Sequence, residues 1–167
     1  VEYAGLSAEL NAGDPVLIAD GLIRLVVNEA PGVQSGTVVC TVEDGGPVSA
    51  RKGVNVPGTM VDLPAIGPND KAAIAHALEA GADYLAVSYV RTPEDLQPAI
   101  DAVKAAGKHV PVVAKIEHPM ALERLEEILD LADAVMVARG DLGVEIPLED
   151  VPVAQQRIID GALERGM

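Results

Sequence analysis

The chain has 167 residues, 49% of them hydrophobic, and a formal net charge of −14. No apolar run reaches the roughly 18 residues of a transmembrane helix, and Val1-Glu2-Tyr3 does not open a signal peptide. So acidic a chain is a poor partner for nucleic acid or an anionic membrane, because phosphate backbones are gripped by clustered Lys and Arg; an anionic small substrate would need a local reversal of sign from a metal or a few placed cations.

Residues 1 to about 52 consist of short β-like runs between turn residues. Val16-Leu17-Ile18 and Leu22 to Val27 flank Asp20-Gly21, which predicts a hairpin. Thr37 to Val42 and a run from Val48 flank Asp44-Gly45-Gly46, which predicts a second hairpin. Cys40, the single cysteine, excludes an internal disulfide and fits a reducing, cytoplasmic setting.

From Asn69 the texture changes to alternating helix and strand. Asn69 or Asp70 is placed to cap a helix running to about Ala80, stopped by Gly81. A strand over Tyr84 to Tyr89 follows. Thr92-Pro93-Glu94-Asp95 is a helix start, with Leu96, Ala99, Ile100 and Val103 on the apolar face and Gly107 at the end. Next come a strand from Val110 to Ile116, one helix from Pro119 to about Asp130 with Leu122, Leu125, Ile128 and Leu129 on one side, and a strand from Ala134 to Ala138. A Gly-rich loop then leads to a helix from about Val151 to Arg165. The missing initiator Met and the stop at Met167, just past that helix, read as cut ends. The strands are continuous apolar runs, the pattern of a parallel sheet covered on both faces. Such strand–helix repeats build either a doubly wound sheet or an eight-fold barrel. No Gly-x-Gly-x-x-Gly follows a strand. Polar residues end all three: Ser88 and Arg91, Lys115 and Glu117, and Arg139 to Asp141. Barrel active sites are built at that face, so the expected class is α/β, a partial (β/α)8 TIM barrel preceded by a small antiparallel β unit.

Lys115 and Glu117 are two apart on a strand and therefore point the same way. By themselves they fit a structural ion pair at a barrel rim as well as a functional site. Asp141 follows the neighbouring strand, and adjacent strands lie about 4.8 Å apart. The two carboxylates can thus converge on one hard cation, and Mg²⁺ is held by one or two carboxylates with waters and substrate oxygens. Gly140 and Gly143 would let a ligand approach the backbone. A helical turn starting here would add free N–H groups as an anion site. Cation site, anion cradle and nearby lysine are the equipment for stabilising phosphoryl-transfer charge or an enolate, with Lys115 over the developing charge rather than acting as a base.

The run Lys115-Ile116-Glu117, then Glu126-Glu127-Ile128-Leu129, then Met136-Val137-Ala138-Arg139-Gly140-Asp141-Leu142-Gly143-Val144-Glu145-Ile146-Pro147 closely resembles the pyruvate kinase family. Asp83 to Arg91 resembles the family's fourth barrel strand. Lys52 to Gly58 resembles the strand returning from its small β-domain, and Gly13-Asp14 with Ile18 to Gly21 the start of that domain. The resemblance covers essentially the whole chain. It implies residues 1–52 as part of an inserted β-domain and 53–167 as part of the barrel, about its fourth to sixth strand–helix units. It implies phosphoryl transfer from phosphoenolpyruvate to ADP, giving pyruvate and ATP, with Mg²⁺ or Mn²⁺ and usually K⁺. Carried onto this chain, Glu117 and Asp141 resemble the metal ligands. Lys115 resembles the lysine that stabilises the phosphoryl group and enolate. The backbone of Gly140 and Asp141 resembles the part that holds substrate, and Lys52 a nucleotide-contacting lysine. The family's K⁺ site and substrate arginine would precede Val1 and its Thr-rich strand would follow Met167. The resemblance thus implies a cytoplasmic, tetrameric parent enzyme and an isolated chain without activity.

The chain departs from the family at Ala19-Asp20-Gly21, often Asp-Asp-Gly, and at His118, often Asn. Beside Pro119, His118 reads as the residue entering a helix rather than a metal ligand. His76 and His109 lack metal-type partners, and Arg91 reads as a scaffold ion-pair residue. The alternatives are a Mg²⁺-dependent aldolase or lyase of the citrate-lyase-like barrel type, and a non-catalytic truncated copy.

Overall fold

The computed structural model describes residues 1, 3–29 and 36–167. They form two compact units, Val1–Asp62 and Leu63–Met167. The first carries a short helix α1 (Leu6–Glu9) and strands β1 (Pro15–Ile18), β2 (Ile23–Val27), β3 (Cys40–Asp44) and β4 (Val54–Asn55). They make a four-stranded sheet in the order β3-β2-β1-β4, with every pairing antiparallel. Leu10, Val16 and Val27 form its small buried core.

The Asp20-Gly21 hairpin is present. Ile18 pairs with Ile23, and Ala19, Asp20 and Gly21 turn the chain with φ of 55°, 58° and 85°. The second expected hairpin does not form. β3 ends at Asp44, no strand starts at Val48, and β4 pairs with β1 at the opposite edge. Gly45-Gly46-Pro47 explains this: two glycines supply no side chain to pack, and Pro47 no N–H for a ladder. Because β4 belongs to this sheet, the first unit extends past residue 52.

The second unit alternates helix and strand. Its strands β5 (Leu85–Val90), β6 (Val112–Ile116) and β7 (Ala134–Val137) form a parallel sheet in that order. Helix α2 (Pro68–Ala80) precedes β5. It starts earlier than Asn69 because Pro68 is pre-set for the first helical position. Asp70 caps from inside the helix, its carboxylate accepting the Gly67 N–H at 2.8 Å. A 3₁₀ turn (Pro93–Asp95) leads into α3 (Gln97–Ala105) between β5 and β6.

The single helix expected from Pro119 is two helices, α4 (Pro119–Glu123) and α5 (Leu125–Leu131), broken at Arg124 with φ −103° and ψ 21°. Leu125, Ile128 and Leu129 of α5 are fully buried, so the break turns that face squarely onto the core. After β7 come α6 (Arg139–Glu145) and α7 (Val151–Glu164). α6 occupies most of the stretch expected to be a Gly-rich loop.

The core lies on one face of the sheet. Leu85, Val87, Val112, Ala114 and Ile116 pack with Leu96, Ala99, Leu125, Ile128 and Ile158 of the helices. The other face, expected to be covered as well, is open: Ala86 and Met136 are exposed and Val113 and Lys115 half-buried.

Gly81 ends α2 in the left-handed conformation, φ 84°, with its N–H bonded back to the helix. A Cβ there would meet no atom within 4 Å, so only the backbone opposes a side chain. Gly81→Ala is expected to cost about 1 kcal/mol, read as a shift in urea midpoint at unchanged slope.

Candidate functional site

The C-terminal ends of β5, β6 and β7 bring polar groups together. β6 and β7 are in register to the last pair, Ile116 with Val137, and the Ala138 N–H donates to the Ile116 carbonyl at 3.3 Å. Glu117 leaves β6 there. Asp141 lies in the first turn of α6, a few residues beyond the end of β7.

Glu117 is the only charged residue among the buried ones described, 1% exposed. A buried carboxylate without partners would cost several kcal/mol. Here both oxygens are engaged: Oε1 faces Lys115 Nζ at 2.5 Å, and Oε2 accepts the Tyr89 N–H at 2.7 Å. Lys115 Nζ also donates to Ser88 Oγ at 2.9 Å. The sequence-derived pair is thus real, and two residues of β5 complete it.

A bulge explains how β5 reaches Glu117. Between Val87 and Val90 the strand takes three steps while β6 takes two, from Ala114 to Ile116. The extra residue leaves Ser88 and Tyr89 both outside the core and returns Val90 to it fully buried. Tyr89 has a left-handed φ of 54°, a conformation that costs a side-chain-bearing residue about 1 kcal/mol or more. The hydrogen bond from its N–H to the ionisable Glu117 carboxylate, of the charge-assisted kind, offsets that cost. Pattern reading placed Ser88 at the strand end but missed the bulge. The available signal was Ser88-Tyr89, two polar-capable residues in succession inside an otherwise apolar run.

Asp141 is exposed. A Cβ at Gly140 would meet nothing within 4 Å, whereas one at Gly143 would strike Leu148 Cδ2 at 2.8 Å. Gly140 therefore leaves open room beside the backbone. Gly143, expected to do the same, is instead a packing glycine. Lys52 is exposed within the first unit.

Among the described residues no group of three or more His, Cys, Asp and Glu side chains is placed to hold a metal ion. Mg²⁺ needs fewer protein donors, because it dehydrates reluctantly and completes its octahedron with water and substrate oxygens. Glu117 and Asp141 follow the neighbouring strands β6 and β7, and carboxylates are the hard oxygen donors such an ion takes. That donor set fits Mg²⁺ or Mn²⁺ held partly by substrate.

His118 caps α4, its Nδ1 accepting the Met120 N–H at 3.2 Å. That role requires an unprotonated nitrogen, and burial lowers the His118 pKa, with Arg91 lowering it further and Glu145 opposing. The unfolded chain would take up this proton near pH 6.5, before the folded one does. Stability from His118 is therefore complete above about pH 6.5 and is lost as pH falls from there through the lower folded value. His118→Asn, which caps without titrating, is expected to flatten this acid-side loss in urea titrations at a series of pH values. Arg91 is a scaffold residue, paired with Asp95 at 3.5 Å and donating to the Leu63 carbonyl at 2.5 Å. His76 and His109 are exposed.

The model of the pyruvate kinase barrel domain matches residues 1–166. The chain is 47% identical over 162 residues to a pyruvate kinase of Mycobacterium tuberculosis, covering 97% of this chain and 34% of that protein. It is 45% identical over the same length to the pyruvate kinase of Mycobacterium intracellulare, and 40% identical over 167 residues to pyruvate kinase 2 of Synechocystis, 28% of that protein. The chain spans about a third of the length of the curated relatives it matches first. The parallel β/α order agrees with that match, and the chain belongs to the pyruvate kinase family.

Proposed function

We propose that this chain supplies part of the active site of an enzyme that transfers the phosphoryl group of phosphoenolpyruvate to ADP, giving pyruvate and ATP. The observation that carries the reading is the buried Glu117 carboxylate at the end of β6, tied to Lys115 and to the β5 bulge, with Asp141 following the neighbouring strand. Glu117 and Asp141 would hold Mg²⁺ or Mn²⁺, which supplies charge neutralisation to the phosphoryl oxygens when bound. Lys115 would place its ammonium against the transferring phosphoryl group and the enolate oxygen left behind. Its stem comes from β6 and its head is steadied by Ser88, so little reorganisation is needed as charge develops. The backbone at Gly140 and Asp141 would hold substrate in the open room there, and Lys52 would contact the nucleotide.

Family membership sets aside the citrate-lyase-like alternative. On this reading K⁺ binds outside the chain, the setting is cytoplasmic and the full enzyme is a homotetramer. No helix among the described residues is long and apolar enough to cross a membrane.

The test is steady-state kinetics of the full-length gene product with phosphoenolpyruvate, ADP and Mg²⁺. Lys115→Met is expected to lower kcat by about a thousandfold with a much smaller change in KM, as for a group that acts mainly in the transition state. A pure KM effect contradicts the role given to Lys115.

A further inference from the structure

We infer that Lys115 and the divalent cation compete for Glu117, so that Lys115 is a resident counter-ion that gives up Glu117 and keeps Ser88 when the metal binds. The inference rests on the reading of Glu117 as a metal ligand and concerns how that ligand is made available.

Glu117 is almost fully buried, and each oxygen already has a partner, Lys115 Nζ at 2.5 Å and the Tyr89 N–H at 2.7 Å. The two partners differ in kind. The Tyr89 N–H is a neutral donor fixed by the bulge, and it orients the carboxylate without opposing a cation. Lys115 carries a full positive charge against the same oxygen set. A dication bound to Glu117 would sit within a few ångströms of that ammonium in a partly desolvated site, where like charges repel strongly.

Ser88 is the partner that remains. Its Oγ lies 2.9 Å from Lys115 Nζ, and a hydroxyl oxygen accepts from an ammonium without needing the carboxylate. Lys115 can therefore release Glu117 and still keep a partner. It would then present its remaining N–H donors to an anion in place of Glu117. The same displacement that admits the metal frees the lysine for a phosphoryl group. Since coupling between two ligands is reciprocal, an anion drawn to Lys115 would also favour metal on Glu117.

The experiment measures Mn²⁺ affinity of the full chain at pH 8 from the electron paramagnetic resonance signal of free Mn²⁺, with circular dichroism and urea midpoints checking the fold. Lys115→Met and Lys115→Gln are expected to tighten Mn²⁺ binding about tenfold, since each removes the competing charge. Gln keeps a neutral donor beside Glu117 and preserves the test if the Met variant does not fold. Lys115→Arg, which keeps the charge, is expected to bind as the unaltered chain does. Glu117→Gln is expected to abolish the site. Equal or weaker Mn²⁺ binding in the folded neutral variants, with Glu117→Gln still abolishing it, overturns the competition alone. Unchanged binding in Glu117→Gln overturns the metal assignment of Glu117, and this inference with it.

Discussion

Asp141→Ala is expected to cost the full-length gene product about a thousandfold in turnover while lowering its folding stability by less than ~1 kcal/mol. The asymmetry comes from where Asp141 stands. It is exposed in the first turn of α6, so its structural worth is limited to a favourable placement near the helix N-terminus. Its functional worth, on the proposed reading, is a hard oxygen donor that water cannot replace in a fixed position. Glu117→Ala is expected to remove turnover to a similar degree and also to destabilise the fold by about 2 kcal/mol. It strands the Tyr89 N–H inside the bulge and leaves Lys115 with Ser88. Comparing the two variants by Mn²⁺ affinity, coupled turnover and urea unfolding separates ligand from scaffold. Unaltered metal dependence in both would sink the assignment.

The second large effect is a null one: these 167 residues by themselves are expected to give no turnover with phosphoenolpyruvate, ADP and Mg²⁺. The parallel sheet has three strands, and its face opposite the helices is exposed at Ala86 and Met136. Both edge strands, β5 and β7, lack an outer ladder partner within this sheet. Phosphoryl transfer depends on holding donor and acceptor in line, and lost positioning alone can remove several powers of ten in rate. The candidate metal donors are present, but the substrate has only part of a wall. A coupled assay on chain made in a host lacking its own pyruvate kinase reads the outcome. Turnover that vanishes in the Asp141→Ala version of the same chain would refute the expectation, because contaminating enzyme cannot respond to that substitution.

The three strands of the second unit and the helices α2, α3 and α7 were legible in the residues, α2 and α3 through their own starts and stops, whereas α6 and the division of α4 from α5 were not. Thr92-Pro93, the Leu96–Ala99–Val103 stripe and Gly81 act locally and need no distant partner. The Asp20-Gly21 hairpin was legible for the same reason. Where local signals were mute, tertiary packing decided. The break at Arg124 reflects the need to bury Leu125, Ile128 and Leu129 against the sheet. The seat of β4 beside β1, rather than beside β3, is likewise a contact between residues far apart in sequence.

The candidate site divides in the same way. Lys115 and Glu117 could be placed on one side of a strand by the period of two. Asp141 could be placed at the next strand end by the β/α order. That Gly140 faces open room while Gly143 packs on Leu148 depends on where α6 begins and on how the chain folds back after it. That Glu117 is held by a Tyr89 N–H depends on one extra residue in β5 relative to β6, a difference in count between two strands. The residues of this chain thus determined which charges stand at the strand ends. Only the pairing of strands decided which of them is buried, what each one touches, and how much room is left beside them. A local pattern specifies the direction of a side chain. Burial and partnership are properties of chain segments brought together by folding.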